Sequence, residues 1–284
     1  MEVTAALPEM QALASRTWSR ESRHHPGQLS WSVYYGEDLD LGPVDVARAG
    51  QQTVGWAWAE SADWLEICVD PAHPDVAPRL IDWFLDRAPR GVVRAMVLEA
   101  EHQVLAALDD AGFERDDLPW FIHHHLDLAE LPSWPTVGGY SFRHIEAAEA
   151  EERAACHRAA WSATSRVTAR SYAALMRAPY YRSDLDWVAV DHTGAMVASV
   201  CLWLDPATGV ALVEPVGTAP EHRGRGLAGA VSLAALHAAR DAGAVAGLVC
   251  PRGDEGYPVP ARVYRSIGFR PGSRTVTLAR SAGR

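Results

Sequence analysis

The sequence contains no lysine and no asparagine, so all 26 of its basic residues are arginine. The absence of lysine excludes a Schiff base, a covalent pyridoxal phosphate linkage and a P-loop, because each of these depends on a lysine amine. Acidic residues number 36, which gives a formal net charge of −10. This charge argues against nucleic acid as the main partner, since a protein that neutralises phosphates needs a basic face.

Long apolar runs and paired cysteines are also missing. No apolar stretch approaches the roughly 20 residues that span a bilayer, and the N-terminal MEVTAALPEMQALASR lacks the basic and apolar regions of a signal peptide. The 4 cysteines lie far apart and form no C-x-x-C motif, which indicates neither a zinc site nor a redox site. We therefore expect a cytoplasmic protein with free, buried thiols and no membrane partner.

The same order of predicted elements occurs twice along the chain. The first half runs from a hairpin over VDVARAG and TVGWAWAE to the strand WFIHHHLDL, and the second from YSFRHIE to SRTVTLA. Between them, LPSWPTVGG has the prolines and glycines of a linker. We predict an α/β protein with an internal repeat of domain size, divided into residues 1–131, a linker at 132–139 and residues 140–284.

The stretch TAPEHRGRGLAGA, residues 218–230, joins the strand VALVEPVGT to a long alanine-rich helix. Glycine in a helix costs about 1 kcal/mol relative to alanine, so Gly224 and Gly226 at the helix start indicate that something approaches the backbone closely. Free N–H groups and the helix dipole favour an anion there, and Arg223 and Arg225 add positive charge. The alternatives are a tight turn without a ligand and a Rossmann loop, although the latter should follow the first strand of a βαβ unit.

In this context the stretch resembles the GNAT superfamily of acyl-CoA-dependent N-acyltransferases. The pattern R/Q-x-x-G-x-G/A matches when its first position is placed at Arg223, and the later VYRSIGF, residues 263–269, matches a second GNAT motif. The resemblance implies two tandem domains, each a mostly antiparallel sheet splayed at its central strand with flanking helices. It also implies an acetyl-CoA site formed by Val216, Gly217 and Thr218 at the strand edge, and by Arg223, Gly224, Arg225, Gly226, Leu227 and Ala228 in the loop.

Two residues are candidates for proton transfer. By the resemblance, Tyr264, which lies four residues before the glycine of Gly-Phe, is expected to protonate the departing CoA thiolate. Glu214 lies in an otherwise apolar strand, where a carboxylate is costly to bury without a partner, and is the predicted base for the acceptor amine. The alternative for Glu214 is a structural charge or hydrogen-bond partner. A covalent intermediate on Cys250 is a disfavoured alternative. The acceptor, a small-molecule amine or a peptide, is expected to contact aromatic and basic residues of the second domain, namely Trp161, Arg166, Tyr172 and Trp203. For each of the aromatic residues, packing in the core is the alternative.

The first half lacks the residues that define this site. Pro74 stands where Arg223 does, Ala77 where Gly226 does, and Leu108 where Tyr264 does. We therefore predict a degenerate N-terminal copy, an arrangement similar to that of mycothiol synthase.

Other predictions concern the histidines, the assembly and a rival function. His123, His124 and His125 are expected on a partly exposed strand, and His24 and His25 in a loop, rather than at a metal site, because no third ligand is evident. We expect a monomer or a homodimer. The alternative function is a non-catalytic CoA-sensing or scaffold protein, because Glu214 is offset from the family's usual glutamate position.

Overall fold

The computed structural model describes residues 1–37 and 39–282. The strands of these residues are β1 (Val44–Ala49), β2 (Gln52–Ser61), β3 (Trp64–Val69), β4 (Gly91–Leu98), β5 (Glu114–Arg115), β6 (Ile122–Asp127), β7 (Tyr140–His144), β8 (Asp186–Asp191), β9 (Met196–Asp205), β10 (Val210–Thr218), β11 (Ala246–Val249) and β12 (Arg270–Ala282). The helices are α1 (Val3–Arg16), α2 (Pro26–Tyr34), α3 (Ala77–Leu85), α4 (His102–Asp110), α5 (Ala150–Ala160), α6 (Ala169–Leu175), α7 (Leu227–Asp241) and α8 (Val259–Ser266).

The strands form one continuous path in the order β1-β2-β3-β4-β12-β6-β11-β10-β9-β8-β7, and β5 pairs beside β12. Most neighbouring strands are antiparallel, whereas β3–β4 and β10–β11 are parallel. Helices flank the sheet, which confirms the predicted α/β class. No helix in the described part of the chain combines the length and the apolar character needed to cross a bilayer.

Alternating side chains of the first half explain why helices cover both sheet faces. On β2, Trp56 and Trp58 pack with residues of α1 and α2, while Ala57 and Ala59 pack with residues of α3 and α4 on the other face. Because both faces carry apolar side chains, neither can be left to solvent, and each recruits a helical layer.

The two halves exchange strands at the middle of the sheet. Strand β6, from the first half, pairs with β11 of the second through residues 124–127 and 246–249. Strand β12 pairs with β6 through residues 270–274 and then with β4 through residues 275–282. The sequence pattern located both strands but did not indicate this pairing, because a strand's partner is set by tertiary contacts and not by its own periodicity.

Two parallel strand pairs separate after a short common stretch. Strands β10 and β11 pair only at Val210, Ala211 and Leu212, although β10 continues to Thr218. Strands β3 and β4 pair only at Trp64 and Leu65. Each half therefore contains a cleft between diverging strands, and these clefts position the groups described below.

The segment between α1 and α2 connects the two halves. His24 Nε2 lies 3.0 Å from the carbonyl oxygen of Ile67 on β3, and His25 Nε2 lies 3.2 Å from that of Val210 on β10. Gly27 follows, and a Cβ at this position would lie 2.1 Å from Cβ of Trp203. The close contact requires glycine here and sets α2 directly against β9.

Candidate active site

The loop between β10 and α7 has the backbone shape that its glycines allow. Gly224 and Gly226 have φ of 74° and 77°, in the left-handed region that costs other residues roughly 1–2 kcal/mol. No atom lies within 4 Å of a Cβ built on either glycine, so the space beside the loop is open. Arg223 ties the loop down, because its Nε donates to the carbonyl of Thr218 and its Nη2 to that of Ala160 at 3.1 and 3.0 Å.

Backbone donors are concentrated at this loop. The first hydrogen bond of α7 runs from the N–H of Ala230 to the carbonyl of Gly226 at 3.0 Å. Within the described residues, the N–H groups of 224–229 donate to no protein acceptor. These free donors lie at the N-terminus of a 15-residue helix, where the helix dipole also favours negative charge. The residues present therefore fit a pyrophosphate, as the sequence predicted for positions 223–228.

The edge of β10 next to the loop faces the cleft that opens where β10 and β11 diverge. Val216, Gly217 and Thr218 pair with β9 on one side only. Thr218 Oγ1 is buried and has no hydrogen-bond partner among the described residues. Gly217 is needed for a different reason, because a Cβ there would lie 2.6 Å from Cβ of Ala160. The cleft thus offers polar backbone atoms to an extended, amide-containing ligand such as pantetheine.

Glu214 lies at an irregularity of β10, where the pairing with β9 shifts between Val213 and Val216 and the Glu214–Pro215 peptide is cis. Its carbonyl accepts a hydrogen bond of 2.7 Å from Nε1 of Trp203. Its carboxylate accepts no hydrogen bond from the described residues, and Glu214 as a whole is half-buried. Burial raises the pKa of Glu214 to about 7, and the positive charge of Arg23 opposes this rise. A carboxyl group with this pKa can both accept and release a proton near neutral pH.

Tyr264 lies on α8 and packs in a buried cluster that includes Val213 of β10 and Val249 of β11. Its ring packs edge-on against Phe269 with centroids 5.9 Å apart, and its hydroxyl makes no hydrogen bond to the described residues. Burial raises its pKa, as do the nearby Glu214 carboxylate and the Cys250 thiol. The structure therefore brings Glu214, Tyr264 and Cys250 close together. Burial and the Glu214 charge also raise the pKa of Cys250, which disfavours a thiolate nucleophile.

The predicted acceptor residues fall into two groups. Trp161 is 39% exposed and stacks on His157 with centroids 6.2 Å apart. It also lies against β10, because a Cβ on Gly217 would lie 2.8 Å from its Nε1. Arg166 is exposed as well. Both side chains are therefore available to a ligand.

Tyr172 and Trp203 are instead wholly buried, with relative exposures of 0%. The Tyr172 hydroxyl donates to Asp186, whose carboxylate also pairs with Nε of Arg153 at 2.8 Å. Breaking a buried ion pair such as Arg153–Asp186 costs about 3–5 kcal/mol. Because the Tyr172 hydroxyl bonds to the same aspartate, Tyr172 belongs to the structural network around this pair. The expectation that Tyr172 and Trp203 contact the acceptor is corrected by their burial. Aromatic residues in a helix–sheet protein serve the core as readily as a pocket, and composition does not separate the two.

The cleft of the first half is filled by its own chain. Arg23 Nε donates to the carbonyl of Met96 on β4 at 3.0 Å, and Arg23 Nη2 pairs with Glu66 on β3 at 2.9 Å. His24 occupies the β3 edge at Ile67. In the second half, the edge of β10 is left open where β11 diverges from it. In the first half, the equivalent edge of β3 is covered by the side chains of Arg23 and His24. Sequence analysis missed Arg23, and its only signal was an arginine beside two histidines.

The equivalent of the glycine loop also differs in the first half. Residues 74–76 form a short 3₁₀ turn, after which Ala77 begins α3 and is wholly buried. Arg79 pairs with Asp45 at 2.7 Å, and Leu108 lies in the core with 0% exposure. No left-handed residue occurs between 70 and 80 in the structure.

The histidines are more buried than their expected loop and strand positions suggested. His123 and His124 are 2% and 0% exposed, and His24 and His25 are 2% and 1% exposed. The expected partial exposure holds for His125, which is half-buried, and is wrong for His123 and His124. Burial lowers the pKa of His123 to about 3 and that of His25 to about 4. Within the described residues, no three histidine, cysteine or acidic side chains are placed to hold a metal ion.

Comparison with protein families identifies the second half. Residues 145–269 match the family model described as "Acetyltransferase (GNAT) family". The chain contains a GNAT domain. Glu214, Tyr264 and the glycine loop all lie within the matched range. The match of this region to the family model supports acyltransferase activity in general. The search of curated proteins found no match.

Solved structures extend the GNAT likeness to the whole chain. A GCN5-related N-acetyltransferase from Sphaerobacter thermophilus is 17% identical, with a TM-score of 0.65 over 99% of this chain and 94% of its own. A tandem GNAT protein from the clavulanic acid biosynthesis pathway is 19% identical, with a TM-score of 0.65 over 100% of this chain and 98% of its own. A GNAT-family acetyltransferase from Colwellia psychrerythraea is 15% identical, with a TM-score of 0.65 over 96% of each chain. The likeness shows the fold, and it confirms the tandem GNAT prediction.

Proposed function

We propose that the protein is an N-acetyltransferase that moves the acetyl group of acetyl-CoA to an amine of a small molecule or peptide by direct attack. The observation that carries this proposal is the combination, at one cleft, of free backbone donors at 224–229 with the neighbouring groups Glu214 and Tyr264. The donor supplies an activated thioester carbonyl. We further propose a cytoplasmic location, where the free cysteines of the chain stay reduced.

The residues of the second half have separate roles in the proposed reaction. The free N–H groups of the loop bind the pyrophosphate, and the open edge at Val216–Thr218 holds the pantetheine arm and polarises the thioester carbonyl. Trp161 and Arg166 are proposed to contact the acceptor near the end of α5. Binding of both substrates where β10 and β11 diverge supplies a large part of the rate enhancement. The amine and the thioester are then held together in one complex and no longer have to collide in solution.

Proton transfer completes the proposed reaction. Glu214 takes one proton from the protonated acceptor amine, so that its nitrogen lone pair can attack. A nitrogen–carbon bond forms and the carbon–sulfur bond breaks, with the electron pair leaving on sulfur. Tyr264 gives its hydroxyl proton to that sulfur and recovers the second proton lost by the nitrogen. Such general-acid help contributes roughly 10²–10⁴-fold.

The two halves are proposed to differ in ligand binding. The domain at residues 140–284 binds acetyl-CoA, and the domain at residues 1–131 is a degenerate copy. Support comes from Arg23 and His24, which occupy the first cleft, and from the missing glycine loop at residues 74–77. The chain is proposed to act as a monomer or a homodimer.

Calorimetric titration of acetyl-CoA into the purified protein tests the proposal. We expect one site per chain, followed by CoA release when a suitable amine is added. Two sites would contradict the assignment of the first half, and no binding would contradict the proposed function. A CoA-sensing protein is the alternative, and it would bind acetyl-CoA but release no CoA with any amine.

A further inference from the structure

Helix α2 of the first half is anchored on the second half. Its Gly27 lies directly against Trp203 of β9, and Oγ of Ser30 donates to the carbonyl of Pro179 at 2.6 Å. The side chains that follow on this helix are therefore held at a fixed place on the second half, although they belong to the half that lacks the glycine loop. The proposed reaction gives these side chains no role.

A row of four aromatic rings runs from α2 into the second half. Trp31 stacks on Tyr35 with ring centroids 5.8 Å apart, and its centroid lies 5.5 Å from that of His157 on α5. His157 in turn stacks on Trp161 at 6.2 Å, with the two ring planes inclined by 21°. Aromatic rings at these separations attract each other. The row thus connects the first half with Trp161, a proposed contact of the acceptor.

His157 is fixed within this row. The residue is 6% exposed, and its Nδ1 lies 2.8 Å from Oγ of Ser165. Burial lowers the pKa of His157 to about 3, as do the charges of two neighbouring arginines, so the ring stays uncharged over the pH range of an enzyme assay. Because His157 contacts Trp31 on one side and Trp161 on the other, the position of the first ring determines that of the last.

Trp161 lies at the edge of β10 that the proposed reaction uses. A Cβ on Gly217 would lie 2.8 Å from Nε1 of Trp161 and 2.6 Å from Cβ of Ala160. The carbonyl of Ala160 also accepts the hydrogen bond from Arg223 of the glycine loop. A large apolar side chain that stays 39% exposed at such a place offers its surface to an apolar part of a ligand.

The residues that follow α2 contact the second proposed acceptor residue. A Cβ on Gly36 would lie 3.2 Å from Cβ of Arg166, and the hydroxyl of Thr168 donates to Glu37. Residues 31–37 of the first half therefore support both proposed acceptor contacts. The second half by itself would lack this support.

We propose that the first half completes the acceptor site of the second, with Trp31 as a positioning residue that acts through His157 on Trp161, and that this last ring packs against an aromatic group of the acceptor amine. The inference rests on the proposed function, since it assumes an amine that attacks at the β10 edge. An indole gains more from a second flat ring than from an aliphatic group of the same size. The first half thus contributes to acceptor binding and not to acetyl-CoA binding.

Three amines test the acceptor class on the unaltered protein, with acetyl-CoA as the donor and CoA release as the readout. We expect kcat/KM for phenethylamine to exceed that for propylamine roughly tenfold to a hundredfold, the usual gain from burial of an aromatic group. The value for 2-cyclohexylethylamine, which has a similar size but no flat ring, should lie between them. Equal or better use of either comparison amine, or transfer to none of the three, would overturn the proposal.

Variants of Trp31 test its positioning role. Trp31→Leu keeps an apolar side chain but removes the ring, so the KM for phenethylamine should rise roughly two- to tenfold. The kcat, the KM for propylamine and the calorimetric affinity for acetyl-CoA should not change, and Trp31→Phe should restore most of the loss. The matched control is Trp83→Leu, which alters a half-buried tryptophan of the first half that packs on a different cluster. An unchanged KM for phenethylamine in Trp31→Leu, or an equal rise for both amines, would overturn the proposal.

Hydrogen exchange measures the same effect without an acceptor. The N–H of Trp161 donates to the carbonyl of His157 at 3.0 Å, and the N–H groups of Thr164 and Ser165 donate to that of Trp161 at 2.9 and 2.8 Å. These amides should exchange faster in Trp31→Leu than in Trp83→Leu, because the last ring loses its support. Equal exchange in the two variants would overturn the positioning role.

Acetyl-CoA binding separates the two levels of the argument. If acetyl-CoA binds and other amines are acetylated without a preference for the aromatic one, only this inference fails. If acetyl-CoA does not bind, the proposed function fails with it.

Discussion

Replacement of Glu214 by glutamine should change activity and stability in opposite directions. As the proposed base, Glu214 must be ionised, so kcat/KM should rise with pH to a plateau above the pKa of about 7. In Glu214→Gln this rise should disappear, and the plateau value should fall roughly 10²–10⁴-fold. The matched control is Glu152→Gln on the exposed side of α5, which should leave the profile unchanged.

The effect on stability follows from the same pKa. Burial raises the pKa of Glu214 from 4.5 to about 7 in the folded state, so the folded protein binds this proton more tightly than the unfolded chain. Ionisation of the buried Glu214 carboxyl lowers the free energy of unfolding. This loss of stability is absent below pH 4.5, grows between pH 4.5 and about 7, and is complete above about pH 7. At about 1.36 kcal/mol per pKa unit, it amounts to about 3 kcal/mol.

Denaturant unfolding at several pH values measures this cost. Glu214→Gln should raise the free energy of unfolding by about 3 kcal/mol at about pH 8, with little change at about pH 4. A variant that keeps wild-type turnover and its pH profile would refute the role of Glu214 as the base. A variant that is no more stable at the higher pH would refute the account of its burial.

Three further predictions concern the same cleft. Tyr264→Phe should lower turnover roughly 10²–10⁴-fold with unchanged acetyl-CoA affinity; unchanged turnover would favour a CoA-sensing protein. Cys250→Ala should leave turnover largely intact in a steady-state assay, because burial keeps the thiol protonated, and a loss of several orders of magnitude would instead indicate a covalent route. Gly226→Ala should weaken acetyl-CoA binding by roughly tenfold in calorimetry. Gly50→Ala is its control, since its φ of 63° implies a similar backbone cost far from the loop; equal binding by both variants would contradict the loop assignment.

Local signals in the sequence were sufficient for much of the fold and for the loop. Two glycines between a strand and a helix predicted the free donors, because these depend on a few neighbouring residues; the left-handed backbone of both glycines is a finding of the structure. Tyr264 was singled out by the resemblance to the GNAT superfamily, and the structure sets it near Glu214. The catalytic and binding roles of these residues stay predictions until the variants are measured.

The features that sequence analysis missed depend on distant parts of the chain. Arg23 acquires its environment from Glu66, Met96 and Glu101, and no periodicity links these positions. Tyr172 was expected in a pocket but satisfies a buried aspartate, since the burial of an aromatic side chain is decided by the sheet that covers it. His123 and His124 are buried, with Arg23 near the first and Arg265 near the second, and a single strand's pattern does not reveal neighbours so distant in sequence.

The pairing of β12, from the second half, with β4 of the first half has a consequence for synthesis of the protein. Strand β4 has β12 as its neighbour, and these strands pair residues 91–98 with residues 275–282. While a ribosome is still translating the second half, the first half therefore lacks an interior strand and exposes an open sheet edge. Such edges promote association between nascent chains, and contacts so distant in sequence form slowly. The chain thus reaches its native arrangement only after residues 275–282 have been translated, and separate expression of residues 1–131 would leave that edge without its β12 partner.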